Sequence, residues 1–249
     1  MEKRDKVFWI SFNRPEKKNA TTVEMYDSLT EAFRIANNDH ETHLTVFTGA
    51  GDFFTSGNDW SQKEREKFVD QLEKNNSIPW VPYINELIKH KKPIIALVNG
   101  PAIGIGCIVL GLCDMVIASS KAYFNCPYVD LGIAPGCLAT ETFPKLIGHA
   151  LSSRMLIFGE TLTAQEALTA GLVSKVLSQK GFKEETSKLV QKYAQLHKES
   201  ILVTKRLMRD EDMVQAMLDR NKKEEKILLE LNREKAQERM VQRFLKAKF

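Results

Sequence analysis

The chain has 249 residues, 43% of them apolar and 27% charged, the balance of a globular protein and not of a disordered, collagen-like or membrane-embedded one. Basic residues number 36 against 32 acidic ones, and the resulting formal charge of +4 is too weak a field to specify nucleic acid, though it suits a small polyanionic ligand. No window approaches the ~18 consecutive apolar residues of a membrane span, and no Pro/Gly/Ser-rich stretch marks a linker, so one domain with no membrane span is expected.

In chain order, Val7 to Phe12 is a short apolar run that stops at Asn13-Arg14-Pro15, a strand followed by a turn. From Thr22 to Ala36 apolar residues recur at helical spacing, and a second strand, Leu44 to Thr48, ends at Gly49-Ala50-Gly51. Asp59 to Asn76 is highly charged and reads as a loop leading into an exposed helix. Val81 to Lys89 is predicted helical and is stopped by His90-Lys91-Lys92-Pro93. Ile94 to Val98 is a wholly apolar strand, and Ile103 to Leu112, apolar on every face, predicts a centrally buried helix. Strands follow at Met115 to Ala118 and Tyr123 to Asn125, then a Gly/Pro-punctuated loop from Cys126 to Leu138.

Ala139 to Ile147 begins a helix expected to be interrupted by Pro144. Further helices are expected at Ala150 to Phe158 and Ala164 to Ala170, the latter capped by Gly171 before a Val173 to Val176 strand. Beyond residue 183 everything reads as helix, ending in a long stretch from Asp212 to Leu245. Its interrupted apolar stripe of Met213, Met217, Ile227, Leu228, Leu231, Met240, Phe244 and Leu245 suits packing on its own core or on another subunit. Strands alternating with helices make an α/β protein with a helical C-terminal third.

The four cysteines, Cys107, Cys113, Cys126 and Cys137, fall in one central stretch without CxxC spacing. With no apolar signal-peptide run at the N-terminus, reduced thiols in an intracellular protein are expected, and no metal site. The last three residues, Ala247, Lys248 and Phe249, are a loose version of the Ser-Lys-Leu peroxisomal address.

Three glycine-bearing turns follow strands: Ser56-Gly57-Asn58-Asp59, Asn99 to Gly106, and Leu131 to Gly136. Glycine there lets backbone approach a ligand, and a helix start aims unpaired amides at negative charge, so two such turns can build an oxyanion hole. A dinucleotide fold would need a third glycine at Val109, and no Walker A sequence is present. The five histidines lie in turns and charged helices away from these bends, which gives no support to a His-based triad.

Taken together, Phe12 to Ala20 (FNRPEKKNA), Phe53 to Trp60 (FFTSGNDW), Lys91 to Cys107 (KKPIIALVNGPAIGIGC), Cys113 to Ser119 (CDMVIAS) and Gly159 to Val176 (GETLTAQEALTAGLVSKV) resemble the successive signatures of the crotonase, or enoyl-CoA hydratase/isomerase, superfamily. The resemblance covers about residues 5 to 180. It is strongest to the peroxisomal Δ3,Δ2-enoyl-CoA isomerase branch, through SGND, NGPAIGI and Thr142 to Gly148 (TFPKLIG).

The resemblance implies a crotonase-like spiral of ββα units over residues 1–190 and a helical region over 191–249 that builds a homotrimer or a lid. It implies an acyl-CoA thioester as ligand, with no cofactor beyond the CoA of the substrate. The oxyanion amides fall on Asn58 and Ile105, with Ser56, Gly57, Asp59, Gly104, Tyr128, Pro135 and Gly136 around the substrate. Lys17 and Lys18 match the position that meets the nucleotide end of CoA. The activity implied is the shift of a 3-enoyl-CoA double bond to the 2-trans position in β-oxidation, in the peroxisome or else in the cytoplasm or a mitochondrion.

The pattern departs at the proton carrier. Such an isomerase needs one base reaching both C2 and C4. The family's carboxylate positions fall on Ile108, Tyr128 and Gly136. Asp130, in the same loop, is the leading substitute, with Glu141 behind it. Tyr128 or Cys137 would need its pKa tuned down from about 10 or 8.5 to act as a base. The alternatives are an acyl-CoA-binding homologue impaired in catalysis, or an enoyl-CoA hydratase.

Overall fold

The apolar runs pair into one main sheet in the computed structural model, which describes residues 1–231. In chain order the strands are β1 (Glu2–Arg4), β2 (Val7–Phe12), β3 (Leu44–Gly49), β4 (Ile94–Val98), β5 (Ala102–Ile103), β6 (Met115–Ser119), β7 (Tyr123–Asn125), β8 (Leu162–Thr163) and β9 (Lys175–Leu177). Six of them order as β1-β2-β3-β4-β6-β9, antiparallel at the first pair and parallel elsewhere. The other three form a small sheet, β5-β7-β8.

Parallel strands covered on both faces must be apolar at every position, and β4 is buried at all five. Its alternate residues split between two cores. Ile94, Ala96 and Val98 face the larger one with Phe33, Phe47 and Leu87, whereas Ile95 and Leu97 face a second one with Phe182, Val190 and Ala194.

The helices are α1 (Val23–Asn38), α2 (Gln62–Asn75), α3 (Val81–Ile88), α4 (Ile105–Ile108), α5 (Ala139–Ile147), α6 (His149–Leu156), α7 (Ala164–Ala170), α8 (Phe182–Ala194), α9 (Lys198–Met208) and α10 (Glu211–Leu231). Thr22 starts α1 by accepting from the Met25 amide, and a reciprocal Thr163–Glu166 capping box starts α7. Gly171 ends α7 at φ 91°, as the sequence predicts.

Two expectations are corrected. The buried run from Ile103 to Leu112 is not one helix: α4 covers Ile105–Ile108, and a tighter 3-10 turn follows over Val109–Leu112. Gly111 sits within that turn with Thr142 pressed against it, where a Cβ would lie 2.5 Å from the hydroxyl. Pro144 does not interrupt α5, which runs through it; three residues later the helix ends, so the proline removes a single bond, to the Thr140 carbonyl.

The C-terminal helices pack back on the same body. Lys205 of α9 is buried and donates to Asp114 Oδ2 at 2.7 Å and to the Lys92 carbonyl at 2.6 Å. The apolar stripe of α10 divides: Met217 and Leu228 are buried, while Met213 and Ile227 are exposed. Met240, Phe244, Leu245 and Ala247-Lys248-Phe249 lie outside the described residues. Among the described residues, no helix is long and apolar enough to cross a membrane.

Candidate active site

Two glycine bends lie side by side because the chain segments carrying them run parallel. Thr55 bridges Ala102, with the Thr55 amide donating to Pro101 O at 3.2 Å and the Ile103 amide to Thr55 O at 3.0 Å. Asn58 follows Gly57 and Ile105 follows Gly104, and all four line one cleft. The bends touch: a Cβ on Gly57 (φ 86°) would lie 3.0 Å from the Ile103 carbonyl oxygen, and one on Gly104 (φ 58°) 3.9 Å from Gly57 Cα. Only glycine lets both turns take these conformations at this separation.

Neither the Asn58 nor the Ile105 amide is spent on building the turns. Asn58 is bridged to Thr21 through its neighbours, Thr21 N donating to Gly57 O at 2.8 Å and Asp59 N to Thr21 O at 2.9 Å, so its own N–H points away from Thr21. Ile105 opens α4, where the first amide has no carbonyl within the helix to bond. The Gly104 carbonyl accepts from Cys107 and Ile108 instead. Buried Tyr26 donates its hydroxyl to Asn58 Oδ1 and fixes that side chain. Arg14 donates to Asp59 Oδ2 at 3.0 Å, and Asp59 in turn accepts from the Ser61 amide at 3.0 Å. Burial would raise the Asp59 pKa, but the Ser61 and Arg14 hydrogen bonds prevail and hold it below its ordinary value.

Both amides border two connected spaces. The first is a cleft of about 760 Å³ whose polar side carries Lys18, Ser56, Asp59, Asn125, Asp130 and Thr161. The second is an apolar chamber of about 40 Å³ walled by Trp60, Phe68, Trp80, Ile108, Leu228 and Leu231 among others. Asn58, Trp60, Ile105, Tyr128 and Ile133 line both, so the chamber opens from the cleft at the amide pair. Two residues with spare amides thus stand where a polar space meets an apolar one.

The structure gathers most of the residues singled out in the sequence. Lys18, Ser56, Gly57, Asn58, Asp59, Gly104, Ile105, Tyr128 and Asp130 line the cleft, and Gly136 lines the chamber. Lys18 Nζ stands 5.3 Å from the Phe53 ring centroid. Lys17 is exposed and outside the cleft, and Pro135 lines neither space. Glu141 is corrected outright: it pairs with Lys145 at 2.6 Å on α5 and borders neither space.

Nor are Tyr128 and Cys137 tuned as bases. Burial pushes both well above their ordinary pKa values, with neighbouring thiols adding to the effect on Tyr128 and Glu224 to that on Cys137, so both keep their protons at neutral pH. The place that an acid at residue 136 would fill is taken by Leu228, whose Cδ1 would be 2.8 Å from a Cβ there. The sequence analysis did not single out Tyr26, Trp60, Phe68, Trp80, Ile133, Leu228 or Leu231 as site residues. The tryptophans and Phe68 could have been noticed as large apolar groups in an otherwise charged segment.

Spare backbone donors on two adjoining bends, at the junction of a polar cleft and an apolar chamber, are groups that can polarise a carbonyl. The chain belongs to the enoyl-CoA hydratase/isomerase family, whose sequence model matches residues 2–248. It is 41% identical over 201 residues to enoyl-CoA delta isomerase 2 of Rattus norvegicus, covering 80% of this chain and 51% of that protein. To the peroxisomal enoyl-CoA delta isomerase 3 of Mus musculus it is 37% identical over 207 residues, covering 82% of this chain and 65% of that one. The chain thus spans about half the length of the first relative and just under two thirds of the second. Among solved structures, OdaA of Pseudomonas aeruginosa superposes with a TM-score of 0.86 at 28% identity over 96% of both chains. An enoyl-CoA hydratase/isomerase from Pseudoalteromonas atlantica gives 0.84 at 30% identity, over 98% of this chain and 96% of that one. The crotonase fold expected from the sequence motifs is the fold observed.

Proposed function

We propose that the protein binds an acyl-CoA thioester with its carbonyl oxygen between the amides of Asn58 and Ile105, and that it shifts a 3-enoyl-CoA double bond to the 2-trans position. The observation that carries this reading is that Asn58 and Ile105, whose amides are not spent on the turns, line both the cleft and the chamber. Two preorganised N–H donors stabilise the enolate formed when C2 loses a proton, typically by several kcal/mol. Among the described residues, Asp130 is the carboxylate lining the cleft that is not held in an ion pair, Asp59 being tied to Arg14, and it is assigned as the proton carrier between C2 and C4. The names of the rat and mouse relatives support the reaction, and that of the mouse relative a peroxisomal setting.

A second reading, binding without turnover, is favoured by one observation: the chamber wall carries no carboxylate, and Leu228 fills the space beside Gly136. Purified protein incubated with 3-enoyl-CoA separates the two. Conversion to the conjugated 2-enoyl thioester, reduced roughly a hundredfold or more by Asp130→Asn, supports the enzyme. Binding with no conversion, unchanged by that substitution, leaves the binding protein.

A further inference from the structure

The chamber beside Asn58 and Ile105 has a fastened wall. Leu228 lies on the Gly136 backbone and clusters with Ile78 and Val81, while Phe68 stacks on Trp80 with ring centroids 5.5 Å apart. The helix that carries Leu228 is tied down around it. Glu224 Oε2 accepts from the Leu138 amide at 2.8 Å, and Glu225 Oε1 from Ser77 Oγ at 2.6 Å and the Ile78 amide at 3.0 Å. Asn221 Nδ2 donates to Asn85 Oδ1 at 3.0 Å. Widening the chamber by moving α10 would break several of these bonds together.

The space so enclosed is small, about 40 Å³. An apolar cavity that accepts benzene measures about 150 Å³, and one water needs about 10–15 Å³. By these two measures the chamber holds about two to three carbon-sized groups. With the thioester carbonyl at the amides these are C2 to C4, and Leu231, 43% exposed on the chamber wall, is the side chain free to swing aside for a further one or two.

We propose that the protein selects short acyl groups, about four to six carbons long, and that Leu228 sets the limit. The proposal rests on the acyl-CoA reading above and adds the substrate class to it. Its test is calorimetric binding of free CoA, butanoyl-CoA, hexanoyl-CoA and dodecanoyl-CoA to the full chain and to two variants of opposite effect.

In the unsubstituted protein, butanoyl-CoA and hexanoyl-CoA are expected to bind roughly tenfold or more tighter than dodecanoyl-CoA, a methylene in an apolar pocket being worth about 10-fold or more. Leu228→Ala is expected to improve dodecanoyl-CoA selectively by roughly tenfold, and Leu228→Phe to weaken hexanoyl-CoA toward the affinity of free CoA. Thermal melts of both variants confirm that each is folded. Equal binding of all three thioesters overturns the length limit while leaving the acyl-CoA reading intact. A Leu228→Ala effect equal at every chain length overturns the role of Leu228, and thioesters that bind no better than free CoA overturn the acyl-CoA reading along with the proposal.

Discussion

Placing a carboxylate at residue 136 isolates what the site lacks, because the resemblance puts the acid of the isomerase branch there and the structure shows which side chain stands in its way. A glutamate Cβ would meet Leu228 Cδ1 at 2.8 Å, shorter than a carbon–carbon contact tolerates, and such overpacking costs about 1–3 kcal/mol. Leu228→Ala removes the obstruction and opens the volume the new side chain needs. The carboxylate would then face Ile108, Ala134 and the hydroxyl of Tyr128, surroundings whose low polarity raises its pKa toward the pH at which a general base works best.

In an Asp130→Asn background, where the cleft's own carboxylate contributes nothing, the pair Gly136→Glu and Leu228→Ala is expected to speed isomerisation of 3-hexenoyl-CoA by roughly 10²–10⁴. The rate is read as the rise in ultraviolet absorbance of the conjugated product. Gly136→Glu alone is expected to gain roughly tenfold less, since a 1.4 kcal/mol share of the strain is already a factor of ten. If the combined variant folds and binds acyl-CoA yet turns over no faster than Asp130→Asn alone, the two amides do not polarise the thioester and the proposed chemistry is wrong.

Two further outcomes follow from the geometry. Tyr26→Phe removes the hydroxyl that holds Asn58 Oδ1 and strands that oxygen; a loss of about 1–3 kcal/mol in denaturant unfolding and weaker acyl-CoA binding are expected, and unchanged binding would show that Asn58 is aimed by its backbone alone. Asp39 is held near pKa 2, against an ordinary 3.8: burial acts to raise it, but hydrogen bonds from Lys3 and Thr42 outweigh that influence. A carboxylate with a depressed folded-state pKa contributes stability above its unfolded value and loses it as pH falls through the folded one. The melting temperature of the unsubstituted protein should therefore exceed that of Asp39→Asn above about pH 4, with the gap closing toward pH 2. A gap that stays constant across that window would remove the pair from the stability of the fold.

The strands of the main sheet other than β1 were legible because their period and composition carry the signal: β4 needs five apolar residues in a row, since both its faces are covered. Strands β1, β5 and β8 were not legible. β1 is exposed along its whole length and has no apolar residue, and β5 and β8 have two residues each, too few to show a period. The glycine bends were readable as bends, and the resemblance supplied which amides to watch. Their apposition depends on the pairing of Thr55 with Ala102, residues 47 apart, which no local pattern encodes. Leu228 was visible only as one position in an interrupted stripe. That it closes on Gly136 follows from the way Glu224 and Glu225 hold α10 against two other segments, which is tertiary information.

The three positions where the resemblance puts the family's carboxylates, Ile108, Tyr128 and Gly136, lie around one space. All three residues face the chamber, and together they make its wall apolar enough that Tyr128 and Cys137 retain their protons. A single carboxylate introduced among them would lose hydration with little in return, whereas an aliphatic chain loses nothing there. The line at which the site changes character runs through Asn58 and Ile105, with Asp130 on the polar side of it and no ionised group on the other. The acyl chain beyond it is recognised by shape alone, which is why the same Leu228 that displaces an acid also decides how long that chain can be.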